Sequence, residues 1–233
     1  MPDLDFGRFE ALTFDCYGTL IDWEAGILAA LRPAFEARRL KPTEDELLEA
    51  FGRHESAAEA GPYRPYREVL GAVLRALADE HGFEASADEV DAFGQSVVDW
   101  PAFPDSATAL ARLQTRFGLG VITNCDDDLF AASERRLRLT FDWVVTAQQV
   151  GAYKPNDANF HAAFRRLGLP RERILHCAQS LFHDHVPAKR LGLSTVWVNR
   201  RQGKAGGGAT PPAQGQPDLV VPDMKALAEL AVG

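Results

Sequence analysis

Asp15 stands at the end of a short apolar segment close to the N-terminus of this chain. Residues 11–14 are apolar or β-branched and predict a buried strand, and Gly18 with Thr19 predicts a tight turn just after it. A buried carboxylate without a partner costs several kcal/mol, so Asp15 is either held by protein dipoles or placed to react. The alternative is an aspartate that only caps the turn.

Polar side chains also follow other apolar segments. Those segments predict strands over residues 119–123, 143–146, 174–178, 195–198 and 219–221. Helical patterns over about 105–115, 127–138, 157–167 and 184–191 alternate with them. Such alternation gives right-handed βαβ units and a parallel sheet, and ligands bind beyond the carboxyl ends of its strands. The groups expected to meet there are Asp15, Tyr17, Thr123, Asn124, Lys154 and the segment 179–184.

The segment after the first strand interrupts this alternation with four helical patterns and no strand. Two of the helices begin at the capping boxes Thr43–Glu46 and Ser86–Glu89, and the others are predicted over about 23–39 and 64–81. Four helices in succession indicate an inserted cap. We therefore predict an α/β fold, a Rossmann-like parallel sheet core with helices on both faces and an inserted four-helix cap. Its core comprises residues 1–22 and 100–233, and its cap residues 23–99.

The charge and the cysteine content of the chain indicate which partners, metal sites and cellular location to expect. Its 25 Lys and Arg residues against 33 Asp and Glu residues give a net charge of −8, which argues against a nucleic-acid or membrane-surface partner. The three cysteines (Cys16, Cys125 and Cys177) form no CxxC pair, and no secretory signal or membrane-length apolar stretch is present, so we expect a cytoplasmic protein without a cysteine-bound metal. The glycine- and proline-rich segment 201–217 is expected to be an inert surface loop, although it follows a strand's carboxyl end and could hang near the site.

The run Phe14-Asp15-x-Tyr17-Gly18-Thr19-Leu20 resembles the first motif of the haloacid dehalogenase superfamily, whose aspartate is the nucleophile. The resemblance extends to the later motifs, with Thr123-Asn124 as the second, Lys154-Pro155 as the third and Asp184 as the fourth. Within the superfamily, the chain is most similar to the branch of L-2-haloacid dehalogenases and azetidine-2-carboxylate hydrolase. No GxSxG, GxGxxG or Walker motif supports a competing α/β chemistry.

Two departures from the superfamily's phosphatases indicate the chemistry. Tyr17 replaces the aspartate that serves as their general acid, and a phenol with a pKa near 10 is a poor substitute in a step worth about 10² to 10⁴ in rate. Gln179 replaces an acidic ligand of their magnesium ion, which prefers carboxylate oxygens. We therefore expect no cofactor, with Mg²⁺ only under a phosphatase alternative. The run His183-Asp184-His185 lacks a third ligand of suitable spacing, so no metal site is predicted there.

The resemblance implies displacement at the α-carbon of a small 2-substituted carboxylic acid. Asp15 attacks that carbon, and water then attacks the resulting aspartyl ester. Lys154 is expected to keep Asp15 ionised, Asp184 to position or deprotonate the water, and Thr123 to bind the substrate carboxylate. Asn124 is expected to face the leaving group or the substrate.

The leaving group needs its own partner. Arg53 resembles a cap arginine that binds halide in the dehalogenases, and Arg64 and Arg67 are rivals for this role. For a strained cyclic amine, His183 could supply a proton near neutral pH. The candidate substrate-binding residues are Tyr17, Cys16, Arg53, Gln179, Leu181 and His183.

Several functions stay open from the sequence. The leading interpretation is a 2-haloacid dehalogenase with a small carboxylate substrate, and the nearest alternative is ring opening of azetidine-2-carboxylate. A weak magnesium-dependent phosphatase and an inactive member that binds a partner are further alternatives. Dimers are common in the family, so the resemblance also allows a homodimer.

Overall fold

Six strands form one parallel sheet in a computed structural model that describes residues 4–204 and 208–233. They are β1 (Ala11–Phe14), β2 (Gly118–Thr123), β3 (Trp143–Thr146), β4 (Ile174–Ala178), β5 (Ser194–Val198) and β6 (Leu219–Val221). Their order across the sheet is β3-β2-β1-β4-β5-β6, so the chain switches direction between β1 and β4. Phe14 pairs with Val121 and Cys177, and the residue after it, Asp15, emerges at this switch point, where α/β sheets bind ligands.

Helices surround this sheet as the sequence predicts. They are α1 (Trp23–Glu36), α2 (Glu44–Glu59), α3 (Tyr66–Glu80), α4 (Ala87–Gln95), α5 (Ser106–Leu113), α6 (Asp127–Leu137), α7 (Ala147–Val150), α8 (Asp157–Leu167), α9 (Val186–Arg190) and α10 (Met224–Val232). The helix predicted over 184–191 is instead a π-helical turn, Leu181–His185, followed by α9. Within the described residues, no helix combines the length and the apolar character that crossing a bilayer requires.

The two faces of the sheet bury separate sets of side chains. Because successive strand residues point to opposite faces, Ala11 packs in one set with Phe160 of α8, whereas Leu12 and Phe14 belong to the other and larger set. The larger set also contains Leu110 of α5 and the apolar faces of α1 to α4. The sheet therefore carries helices on both faces, and the helical insert shares a core with one of them.

The helical insert, α1 to α4, lies between β1 and the rest of the core in sequence. Both predicted capping boxes are present, at Thr43–Glu46 and Ser86–Glu89. Helix α3 follows Pro65, whose side chain makes no cap, and its first amides donate instead to the core residue Asp126. The division into a core (residues 1–22 and 100–233) and a cap (residues 23–99) stays a prediction.

The segment 201–217 differs from the expectation of an inert surface loop. Residues 205–207 lie outside the described residues. In the described part, Ala209 is buried, and its carbonyl lies so close to Gly52 of α2 that a Cβ there would clash with it. The hydroxyl of Thr210 donates to Gln179 Oε1 at 3.1 Å. Because this segment contacts both the helical insert and the end of β4, part of it belongs to the site.

Candidate active site

Asp15 and Lys154 meet beyond the carboxyl ends of β1 and β2. Lys154 Nζ donates to Asp15 Oδ1 at 2.8 Å, to the carbonyl of Ile122 at 2.8 Å and to Asp184 Oδ1 at 2.7 Å. The hydroxyl of Thr19 donates to the other oxygen of Asp15 at 2.7 Å. All three N–H bonds of the ammonium are therefore used by protein acceptors, and Asp15 is held in place through both of its oxygens.

Asp184 belongs to a longer buried chain of hydrogen bonds. Its Oδ1 atom lies 3.0 Å from His176 Nε2, and His176 Nδ1 lies 2.9 Å from Thr13 Oγ1. Asp184 is completely buried, and its Oδ2 atom has no hydrogen-bond partner among the described residues. A buried oxygen without a partner is an acceptor available for a water or a substrate.

Asp15 and Asp184 share the single positive charge of Lys154, and their pKa values shift in opposite directions. Burial opposes ionisation of Asp184, but Lys154 and His176 hold the pKa of this carboxyl well below its usual range. Burial raises the pKa of Asp15 from 3.8, Lys154 opposes the rise, and the charge of Asp184 adds to it. Asp184 is therefore the firmly ionised member of the pair, and Lys154 is what keeps Asp15 available as a carboxylate.

Tyr17 lines the cavity beside Asp15, but its hydroxyl is engaged elsewhere. It lies 3.0 Å from Ser133 Oγ and accepts from Cys125 Sγ at 3.3 Å. The ring packs edge-on against Trp100 at 5.6 Å between centroids. Burial raises the pKa of this phenol well above 10, which makes Tyr17 poorly suited to act as a general acid near neutral pH.

Of the two neighbours Asn124 and Thr123, only Asn124 lines the cavity. Asn124 lines the cavity, and it fixes Lys154 by accepting from its backbone N–H at 2.7 Å and donating to its carbonyl at 3.1 Å. The hydroxyl of Thr123 is buried without a partner among the described residues, and Thr123 is not part of the cavity lining. The structure therefore does not bring Thr123 to a position where it contacts a substrate carboxylate.

His183 and Gln179 both line the cavity. His183 Nδ1 lies 3.1 Å from Ser180 Oγ, and burial lowers the pKa of its imidazole to about 4. The ring is therefore neutral near pH 7, which argues against the expected proton donation by its charged form. Gln179 Oε1 accepts from the Thr210 hydroxyl.

The remaining sequence candidates lie outside the cavity. Arg53 is 61% exposed on the outer face of α2, where it pairs with Glu80 at 3.4 Å, so the structure does not bring it to the cavity. Its rival Arg67 pairs with Asp126 and Asp128. Cys16 is completely buried beneath the site, and Leu181 packs towards Gly215, so neither contacts the cavity.

Two glutamates of α2 line the cavity, for which the sequence analysis expected a cap arginine. Glu55 accepts from the Tyr66 hydroxyl at 2.6 Å, and Glu59 accepts from Asn124 Nδ2 at 3.2 Å. The sequence does contain an indication that Glu55 faces inwards, because Leu48, Phe51 and Glu55 recur at helical spacing and so lie on one side of α2. Arg53 does not share this spacing and lies on another side of the helix. The sequence gives no comparable indication that His176 belongs to the site, because a histidine within a predicted strand cannot be distinguished from an ordinary core residue.

The residue set does not fit a magnesium ion. The ammonium of Lys154 already bonds to both aspartates, and Gln179 supplies an amide where a carboxylate would be needed. Within residues 4–204 and 208–233, no three His, Cys, Asp or Glu side chains are grouped so that they could bind a metal.

Known proteins resemble the chain over most of its length. It is 24% identical over 201 residues to (S)-2-haloacid dehalogenase H-109 of Pseudomonas putida, covering 82% of this chain and 86% of that protein. It is 25% identical to (S)-2-haloacid dehalogenase of Pseudomonas sp. (strain YL), covering 95% and 94%. The solved L-2-haloacid dehalogenase from Xanthobacter autotrophicus with chloropropionic acid covalently bound has the same fold, with a TM-score of 0.81, 22% identity and coverage of 97% and 99%.

A family model described as haloacid dehalogenase-like hydrolase matches residues 9–177, which include Asp15, Asn124 and Lys154. This match spans well over half of the chain. The chain therefore belongs to the haloacid dehalogenase-like hydrolases.

Proposed function

We propose that this protein hydrolyses small 2-substituted carboxylic acids through an ester formed on Asp15, with 2-haloacids as the first substrates to test. The observation that carries the proposal is the 2.8 Å contact between Lys154 Nζ and Asp15 Oδ1 at the floor of the cavity. An ammonium in this place keeps a buried carboxylate ionised, which nucleophilic attack requires. The free space beside Asp15 is only about 30 Å³, which favours a small substrate.

The proposed reaction has two displacement steps. An oxygen of Asp15 forms a bond to carbon 2 with inversion, and the bond from carbon 2 to the leaving group breaks with its electron pair. Water then adds to the carbonyl carbon of the Asp15 ester, and the bond between that carbon and the ester oxygen breaks. This oxygen stays on carbon 2 as the hydroxyl of the product, and the oxygen of the water stays on Asp15. Asp184 is suited to hold that water, because its Oδ2 atom is buried without a partner among the described residues and its residue lines the cavity.

The leaving group has two candidates. The proteins of similar sequence described above carry the name 2-haloacid dehalogenase, which favours a halide. Ring opening of azetidine-2-carboxylate is the second candidate, and the specific observation in its favour is that Glu55 and Glu59 line the cavity while Arg53 does not. Phosphatase activity is disfavoured because the Tyr17 hydroxyl is bonded to Ser133 and Cys125.

A single turnover in water labelled with heavy oxygen tests the ester route. We expect the label in the side chain of Asp15 and none in the 2-hydroxy acid product of that turnover. Label that enters the product directly would exclude the ester. The same enzyme should be assayed with L-2-chloropropionate, L-azetidine-2-carboxylate and p-nitrophenyl phosphate, with and without a chelator, and Asp15→Asn is expected to abolish ester formation.

A further inference from the structure

A second cavity of about 420 Å³ adjoins the one beside Asp15, and Glu59, Lys154 and His183 line both. The free space beside Asp15 is only about 30 Å³, which is about the volume that one water molecule takes up in the liquid. An apolar cavity of about 150 Å³ holds a benzene molecule, so the second cavity has room for a ring and its linker. Because Lys154 lines it and bonds to Asp15, a substrate whose carbon 2 lies at Asp15 can extend a substituent into it.

Three aromatic rings line the second cavity. Tyr63 and Tyr153 lie with their ring centroids 5.4 Å apart, and Phe182 lines the cavity as well. The hydroxyl of Tyr153 donates to the carbonyl of Arg64 at 2.8 Å, so this ring also ties the helical insert to the core. The hydroxyl of Tyr63 is buried and has no hydrogen-bond partner among the described residues. Contacts within the fold therefore account for Tyr153 but leave the polar end of Tyr63 unsatisfied.

The π-helical turn Leu181–His185 contributes to both cavities. Such turns are rare, and they are frequent at functional sites. This one places Phe182 in the lining of the second cavity, His183 in the lining of both and Asp184 in the lining of the first. A single short turn therefore borders the space beside Asp15 and the larger space next to it.

The charges around the second cavity favour an uncharged occupant over an anionic one. Lys154 is the only lysine or arginine in its described lining, and all three N–H bonds of the ammonium are taken by Asp15, Asp184 and the carbonyl of Ile122. Glu59 would repel an anion when it is ionised. An uncharged ring, in contrast, gains from burying its surface against the aromatic side chains.

We propose that the second cavity is a subsite for the substituent on carbon 2 and that it takes an uncharged aromatic group, so the substrates are 2-substituted 3-arylpropanoic acids. This inference rests on the proposed ester at Asp15, to which it adds the class of side chain that the substrate carries. The substituent itself does not react, and the two displacement steps are unchanged. Tyr63 and Phe182 then determine specificity, although neither is among the candidates that the sequence analysis selects.

Binding of the expected products tests the inference without depending on the leaving group. Inversion would give D-lactate from L-2-chloropropionate and D-3-phenyllactate from L-2-chloro-3-phenylpropionate. Isothermal titration of the wild-type protein should show the phenyl compound binding at least about tenfold more tightly. Tyr63→Ala and Phe182→Ala should each reduce this ratio below about threefold, whereas Tyr63→Phe retains the ring and should retain the ratio. Leu230→Ala, which removes an exposed side chain of α10 outside both cavities, is the control.

Ala60→Phe tests the space itself. Ala60 is exposed, follows the last residue of α2 and lines the second cavity, so a ring added there occupies the cavity without entering the core. We expect binding of D-3-phenyllactate to weaken at least about tenfold and that of D-lactate to change by less than about twofold. If the second cavity were only an entrance channel, the ratio of the two binding constants would survive this substitution.

The outcomes separate this inference from the proposed function. Equal binding of the two products, binding of neither, or a ratio that survives Ala60→Phe would overturn the inference. If either chloro acid labels Asp15 in heavy-oxygen water while the two products bind equally, the proposed function stands and the inference fails. If neither chloro acid labels Asp15, the proposed function fails whatever the binding ratio, and the inference fails with it. Should Tyr63→Ala not fold, Phe182→Ala and the surface variant Ala60→Phe still decide.

Discussion

The ammonium of Lys154 donates to Asp184 at 2.7 Å while it also donates to Asp15 at 2.8 Å. Both carboxyl groups are almost inaccessible to solvent, so one positive charge serves two acids in a medium that opposes charge. His176 gives Asp184 a second partner, and Thr19 gives one to Asp15. The site therefore depends on a charge balance that a single substitution can upset.

Lys154→Met should destabilise the fold and abolish ester formation. Removing the ammonium leaves two buried carboxyl groups without a counter-charge, which we expect to cost about 3–5 kcal/mol in the free energy of unfolding. Urea unfolding measures this loss. The double variant Lys154→Met with Asp184→Asn should recover part of the stability and none of the activity. If Lys154→Met alone were as stable as the wild type, the ammonium of Lys154 would not be what stabilises the two buried carboxyl groups.

Asp184→Asn should separate the two chemical steps. Asparagine cannot take a proton from water, so we expect the ester on Asp15 to form and its hydrolysis to slow by about 10²- to 10⁴-fold. Mass spectrometry of the Asp15 peptide after rapid quenching should show the ester accumulating with the substrate that the wild type turns over. An unmodified Asp15 together with lost turnover would mean that Asp184 acts before or during the first displacement.

Much of the sheet could be predicted because its determinants are local. The strands Trp143–Thr146 and Ile174–Ala178 and the helix Asp157–Leu167 have the predicted limits, since apolar runs and turn residues bound them. Parallel alternation then placed Asp15 and Lys154 at one edge of the sheet. Their contact at 2.8 Å agrees with this reasoning.

Two features could not be predicted from the sequence, namely the residue that caps α3 and the side of α2 that faces the cavity. They depend on contacts between distant residues and on the rotation of one helix about its axis. Asp126 caps α3 from sixty residues away, and no local pattern announces such a partner. Arg53 was expected to bind the leaving group because it resembles the halide-binding cap arginine of the dehalogenases, but the apolar stripe through Phe51 turns that side of α2 inwards and Arg53 outwards. Glu55 follows this stripe, so α2 presents an acid to the cavity.

Arg53→Ala should have almost no effect, in contrast to what the sequence suggests. The side chain is 61% exposed and pairs with Glu80 at the surface, where ion pairs contribute at most about 1 kcal/mol. We expect kcat/KM for L-2-chloropropionate or L-azetidine-2-carboxylate to stay within about twofold of the wild-type value. A loss of tenfold or more would require Arg53 to reach the cavity and would restore its expected role.

Asp126→Ala should loosen the helical insert from the core. Asp126 is buried and accepts from the backbone N–H groups of Tyr66 and Arg67 at 2.8 and 3.2 Å, and Arg67 Nε also donates to it. Losing these bonds should cost about 2–3 kcal/mol in the free energy of unfolding. Ser86→Ala removes only a local cap and should cost about 1 kcal/mol. Hydrogen exchange of α3 should rise in the first variant and not in the second.

Glu55→Gln should change how stability depends on pH. Burial raises the pKa of Glu55 from 4.5 to about 8, so between these values the unfolded chain has lost a proton that the folded protein keeps. The contribution of protonated Glu55 to the free energy of unfolding is therefore fully present below about pH 4.5, and it declines as the pH rises to about 8. The decline from this group amounts to at most about 5 kcal/mol.

Chemical unfolding at pH 5 and pH 8 measures this difference. Glutamine has a similar shape, accepts the same Tyr66 hydrogen bond and does not titrate, so the variant should lose less stability over this interval than the wild type. Glu59 retains its own raised pKa in both proteins, so some decline should remain. Identical pH dependence in the two proteins would mean that Glu55 is already ionised at pH 5 in the folded state, and it would then need a cationic partner even in the absence of substrate.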